Sequence, residues 1–298
     1  MILNRNSAIV YLLLASVVIS FGGLIMRNIH FADPWQIAFY RSLAFTFSIL
    51  IVLLIQYRSN IKSSIMKVGY PGIIGGAFLM ATNLFFIQAI ANTSVANALF
   101  TLSSIPFITT FFAFLFLKET LSLRTIIIML FALFGIFIMI NDGLVSGGFY
   151  GNIMAVLTAL CFSGFAILVR KYRNIDMVPT LLISGFMIIV VSFFLNNGSL
   201  SIPFRDMMLC FLWGGILSGF VNSVFIFATR YLFASEVTFF MLLEFSLGPF
   251  WVWLFMNETI SRQTMLGGLI VMICVALYSC IEIYISRVKI KRGRIPPT

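Results

Sequence analysis

Ten stretches of this sequence stay apolar for long enough to cross a lipid bilayer, and nothing else in it constrains the fold as strongly. A hydrocarbon core about 30 Å thick takes roughly 20 residues of helix, and inside lipid each backbone donor and acceptor must find its partner within the protein. The runs predict helices at 8–26, 35–55, 69–90, 93–116, 124–141, 148–169, 179–196, 207–229, 234–256 and 263–285. Charged residues make up 9% of the chain, where a soluble domain carries about 25%, so no folded domain is expected between the runs. The expected fold class is an all-α integral membrane protein with ten transmembrane helices. The first run lacks a small-residue cleavage site before the second, which predicts a retained helix and not a removed signal. Cys161, Cys210, Cys274 and Cys280 all fall inside predicted helices, without the spacing of a metal site or a loop disulfide framework.

A net charge of +10 raises the question of nucleic acid, and the placement of the charges answers it. With the N-terminus in the cytoplasm, fifteen of the cations fall in cytoplasmic segments, from Arg5 and Arg58 to the tail at 287–298. The other side holds Arg27, Arg205 and Arg262. Such asymmetry orients membrane helices, so both termini are expected in the cytoplasm and no nucleic-acid partner is expected. The basic tail reads as a contact for lipid headgroups.

The chain also repeats itself at a shift of 139 residues. "GGAFLMATNLFFIQA" from Gly75 lies over "GGILSGFVNSVFIFA" from Gly214, and "FLFLKETLS" lies over "WLFMNETIS". Asn83 then meets Asn222, Glu119 meets Glu258, and Ser122 meets Ser261. Phe and Leu coincide easily in apolar sequence, but Gly-Gly, Asn and Glu-Thr do not. The expected units are 1–145 and 146–286, followed by the tail 287–298. Five spans is an odd number, so the second unit enters the membrane inverted. Inverted repeats are the architecture of carriers that expose one central site to each side in turn.

Ten spans, duplicated five-helix units and a Glu-Thr-x-Ser turn after the fourth and ninth spans resemble the drug/metabolite transporter superfamily, in its EamA-like branch. The resemblance covers essentially the whole chain. It implies transport of small metabolites, often export of amino acids or related compounds, through a cavity between the halves. The first unit fits the family pattern with Pro106 thirteen residues before Glu119, whereas the partner position holds Phe245 and proline returns at Pro249.

Glu244 is the most informative single residue. A carboxylate near the bilayer centre costs at least about 2.5 kcal/mol, so it is expected to face a polar interior. There it serves as a counter-charge for a substrate amine, as a proton-coupling site, or as a structural hydrogen-bond acceptor. Trp251, seven residues on, shares its helix face and is a candidate cavity wall, while Trp253 is expected to point away and Trp213 to anchor at the interface. Asn83 and Asn222 are candidate substrate contacts or interhelical hydrogen-bond partners, with Gln88 and Asn97 as weaker cases. Pro106 and Pro249 are expected to kink the fourth and ninth spans, one limb lining a cavity and the other forming a gate. Arg41 is expected to snorkel to the outer interface. Glu119 and Glu258 are expected to cap the helices that follow them.

No Gly-rich phosphate loop ending in Gly-Lys-Ser/Thr is present, so nucleotide drive is not expected. His30 is the one histidine, and no base or metal cluster suggests an enzyme. The reading is a secondary transporter of a small polar or amphiphilic metabolite, amino acid-like or amine-like and exported, in a bacterial cytoplasmic membrane. A channel or lipid scramblase is the alternative, with a membrane-embedded enzyme ranked behind it. Its partners are a small-molecule substrate, membrane lipid and a coupling proton or other ion; no cofactor is expected, and the oligomeric state stays open.

Overall fold

The computed structural model describes residues 5–57, 61–119, 122–146, 148–172, 174–221, 224 and 234–291. Among these the chain is helical, with no strand. The elements are α1 (Arg5–Ile19), α2 (Gly22–Arg27), α3 (Pro34–Tyr57), α4 (Ile61–Asn92), α5 (Val95–Leu102) and α6 (Ile105–Leu117). They continue with α7 (Leu123–Ser146), α8 (Phe149–Lys171), α9 (Pro179–Leu195) and α10 (Phe204–Phe211), which runs into a π-helical stretch, Leu212–Phe220. Two long helices close the chain, α11 (Ala234–Met256) and α12 (Arg262–Lys291).

Seven stretches are long and apolar enough to cross a membrane, where the sequence predicts ten. The seventh and ninth expected spans coincide with the shorter apolar helices Pro179–Leu195 and Leu243–Met256, and the eighth, 207–229, falls partly outside the described residues. Large apolar side chains such as Phe47, Ile55, Phe134 and Phe194 stand on the outside, as lipid-facing positions require. The interior is built from α4 against α8 and α9, α3 against α9 and the π-helical stretch, and α7 against α12.

Two expected spans are broken in the middle. The first divides at Ser20 and Phe21 into α1 and α2, and the fourth divides at Ser103 and Ser104 into α5 and α6. Pro106 explains the second break: it stands in the first turn of α6, where a missing N–H costs nothing. The hydroxyls of Ser103 and Ser104 donate to the carbonyls of Phe100 and Thr101, each at 2.6 Å, filling acceptors at the interrupted end of α5. Pro106 thus starts a helix instead of kinking one, and Pro249 sits within a continuous α11. Irregular backbone at membrane depth is tolerated only where protein or a cavity surrounds it, so the breaks point to where a site belongs.

α4 bends at Gly69, whose φ of 54° and ψ of −149° lie in a region that side chains avoid. Gly69→Ala is expected to cost about 1–3 kcal/mol, read as a lower thermal midpoint of the detergent-solubilised protein. An unchanged midpoint would mean that the bend relaxes freely.

Candidate functional site

The start of α3 is fastened from both sides. Asp33 and Gln36 form the return half of a capping box, with the Gln36 Oε1 accepting from the Asp33 N–H at 2.9 Å. Gln36 Nε2 donates to the carbonyl of Ser199 at 3.0 Å and the Tyr40 hydroxyl donates to that of Leu200 at 2.6 Å. These bonds fix the rotation of the helix and so the direction of Arg41, seven residues and roughly 10 Å along the axis from Pro34.

Arg41 does not snorkel. It is 8% exposed and turned into the bundle, where its guanidinium donates to Asn83 Oδ1 at 3.0 Å and to Ser218 Oγ at 3.2 Å. Its Cζ lies 4.3 Å from the centre of the Trp213 ring. Trp213 is therefore no interface anchor: at 2% exposure it is a buried platform for the cation. The backbone permits this because Gly214 lies against Arg41 itself, where any Cβ would stand 1.9 Å from the Arg41 carbonyl oxygen. The π-helical winding carries Trp213, Gly214 and Ser218 together, an irregularity common at functional sites.

The cation faces a cavity of about 70 Å³. Ser20, Gly22 and Gly23 line it from the break in the first span, Leu99 from α5, and Glu244 from α11. Arg41 and Glu244 are thus opposite charges on the walls of one small space. Neither is fully used by the protein: Arg41 Nε is buried without a hydrogen-bond partner, and the Glu244 carboxylate makes no hydrogen bond among the described residues.

The other candidates divide around this cavity. Asn83 orients Arg41 while its amide donates to the Leu79 carbonyl at 2.9 Å. Trp251 stands behind the wall and not in it, stacked on Phe21 and donating to Ser20 Oγ at 2.9 Å. Trp253 points outward, as expected. Gln88 accepts from Asn92 at 3.3 Å, and Asn97 accepts from Thr264 at 2.7 Å; both lie outside the cavity lining. Asn222 lies outside the described residues. Sequence reasoning assigned Arg41 and Trp213 to the interface and so missed the core of the site. The available signal was the repeat, in which Arg41 stands opposite Thr180 and Trp213 opposite Ile74, so that neither belongs to the shared scaffold.

Glu119 and Glu258 are also not the caps of the helices that follow. The hydroxyls do that work: Ser122 Oγ accepts from the Thr125 N–H at 3.2 Å and Ser261 Oγ from the Thr264 N–H at 3.0 Å. The carboxylates bind arginines instead. Among the described residues no group of histidines, cysteines and carboxylates is arranged to hold a metal.

Residues 6–141 match the family model described as the EamA-like transporter family. That family lies within the drug/metabolite transporter superfamily, and its model spans a little under half of the chain. Members of the EamA-like family are membrane transporters, and the apolar helices agree with an integral membrane protein. A search of curated proteins found no match. One solved crystal structure resembles this chain with a TM-score of 0.63 over 91% of it and 97% of that chain, at 14% identity, a likeness of fold alone.

Proposed function

We propose that this chain is a secondary carrier of a small zwitterionic metabolite, an amino acid or a related amine, exported by alternating access across a bacterial cytoplasmic membrane with both termini inside. The observation that carries the reading is the pair of incompletely used charges in one cavity, Arg41 and Glu244. A carboxylate docks on the guanidinium and an ammonium on Glu244, while Trp213 and Phe86 offer apolar walls. A cavity of about 70 Å³ is well below the roughly 300–1,000 Å³ of ordinary ligand pockets, so a solute enters only when the walls part. Coupling to a proton or another ion fits a carrier without a nucleotide loop.

The inverted five-helix repeat, with units 1–145 and 146–286, is part of the proposal, and packing supports it. A Cβ on Gly214 would meet Arg41, and one on Gly75 would meet Thr180, the position equivalent to Arg41 at a shift of 139. Gly215 faces Ala44 and Ser48, while Gly76 faces Ile183 and Met187, again the equivalent residues. Both halves thus use one helix contact, α3 with the π-helical stretch and α4 with α9, as rocking units related by symmetry would.

Counterflow with purified protein in liposomes tests the reading, with amino acids and amines screened on the parent and Glu244→Gln. Saturable exchange is expected, with affinity for ammonium-bearing solutes reduced roughly tenfold or more in the variant. Non-saturable flux in both proteins would replace the carrier with a channel or scramblase.

A further inference from the structure

Glu119 and Glu258 are repeat equivalents, and each binds an arginine at the end of the first helix of a unit. Arg27 closes α2 and donates to Glu258 at 2.7 Å; Arg170, in the last turn of α8, donates to Glu119 at 2.5 Å. The two pairs stand at opposite ends of the span Val95–Leu117: Glu258 accepts from the Val95 N–H at its start, and Glu119 follows its end.

The end bearing Glu258 is the more tightly closed. Its carboxylate also accepts from the Val95 N–H at 2.9 Å, and Arg27 donates to the Thr93 carbonyl at 2.7 Å. One ion pair therefore holds α2, α5 and the end of α11 together. Both α2 and α5 are short half-helices, each set off from the rest of its span by a break, and both reach the cavity, through Gly22 and Gly23 and through Leu99. Neighbouring bonds tighten the same end: Thr93 to Asn152 at 2.7 Å and Thr264 to Asp142 at 2.9 Å. At the opposite end the Arg170 and Glu119 side chains are 48% and 46% exposed, against 26% and 23% for Arg27 and Glu258. The more solvated pair is the weaker one.

We propose that Arg27–Glu258 and Arg170–Glu119 are the two gate latches of the carrier, each sealing one end of the path to the cavity and released in alternation. The inference rests on the carrier reading. Release of Arg27 from Glu258 frees α2 and α5 to swing about their breaks and uncovers the Arg41 and Glu244 walls to that face. The Arg170–Glu119 pair performs the corresponding task at the other face when the first latch is closed.

The test replaces the four cysteines by serine, places a reporter at the cavity wall with Ile19→Cys, and applies a membrane-impermeant maleimide from either face of oriented proteoliposomes. With both latches intact, labelling is expected mainly from the face that carries Glu119. Arg27→Gln and Glu258→Gln are each expected to raise labelling from the other face roughly five- to tenfold. Glu119→Gln is expected to shift labelling the opposite way. The exchanged pair Arg27→Glu with Glu258→Arg keeps the ion pair but loses the bonds to Thr93 and Val95, so it is expected to restore the parent pattern in part, which a merely misfolded variant would not do. The latches are overturned if breaking either pair leaves the face ratio unchanged, or if both move it the same way. Saturable counterflow in the same liposomes would then leave the carrier reading standing, whereas loss of saturability in the parent would end both.

Discussion

Arg41→Lys is expected to weaken solute binding roughly ten- to a hundredfold while the folded protein is recovered in near-normal yield, because about 1.5–3 kcal/mol separates a kept from a lost charged hydrogen bond. Lysine keeps the charge but cannot fork to Asn83 and Ser218 at once, nor lie flat on the Trp213 ring. Its ammonium is also a compact, strongly hydrated charge that loses more on burial. Arg41→Gln removes the cation and should abolish exchange of carboxylate-bearing solutes, leaving any residual binding of simple amines to Glu244. Equilibrium binding by calorimetry, with an α-amino acid compared against the amine that lacks its carboxylate, reads both effects. If the two solutes lose affinity equally, Arg41 shapes the cavity without touching the solute.

The sequence made the membrane class legible because insertion in lipid imposes a length and a polarity that a single chain displays directly. The likeness to the EamA-like family, which the family model bears out over residues 6–141, was legible because Gly-Gly, Asn and Glu-Thr recur in one register. The candidate site was legible only by halves. Glu244 stands out in an apolar run, and its cost forces it toward a cavity. Arg41 stands near a helix end, where snorkelling is the cheaper fate for most arginines. What turned it inward was unreadable locally: a capping box at Asp33, the Tyr40 bond to a distant loop, and a glycine from another span against its own carbonyl. The same limit explains Trp251, which shares the face of Glu244 yet is held behind the wall by Ser20 and Phe21. Helical periodicity gives a face but not the neighbour that occupies it. Glu119 and Glu258 were misassigned for a related reason, since a nearby serine in each turn supplied the cap and left the carboxylates for arginines far off in sequence.

The glycine contact at the heart of the site gives the second large effect, and two adjacent residues supply its control. Gly214→Ala places a Cβ 1.9 Å from the carbonyl oxygen of Arg41 and 2.8 Å from its carbonyl carbon, both main-chain atoms of a fastened helix. No rotamer change relieves that overlap, so α3 and the π-helical stretch must separate. The expected cost is about 3 kcal/mol or more, at the upper end of overpacking, with loss of solute exchange. Gly215→Ala is expected to stay within about 0.5 kcal/mol of the parent, since its Cβ would lie 3.4 Å from Ser48 Oγ and 3.5 Å from Ala44 Cβ, ordinary contact distances. Thermal unfolding in detergent and counterflow in liposomes compare the two side by side. Equal behaviour of the pair would mean that the close approach of Gly214 to Arg41 is not what holds the cation in place. A selective loss at Gly214 ties helix packing to the charge in the cavity: the corresponding contact of Gly75 with Thr180, at a shift of 139, brings two helices together without an arginine.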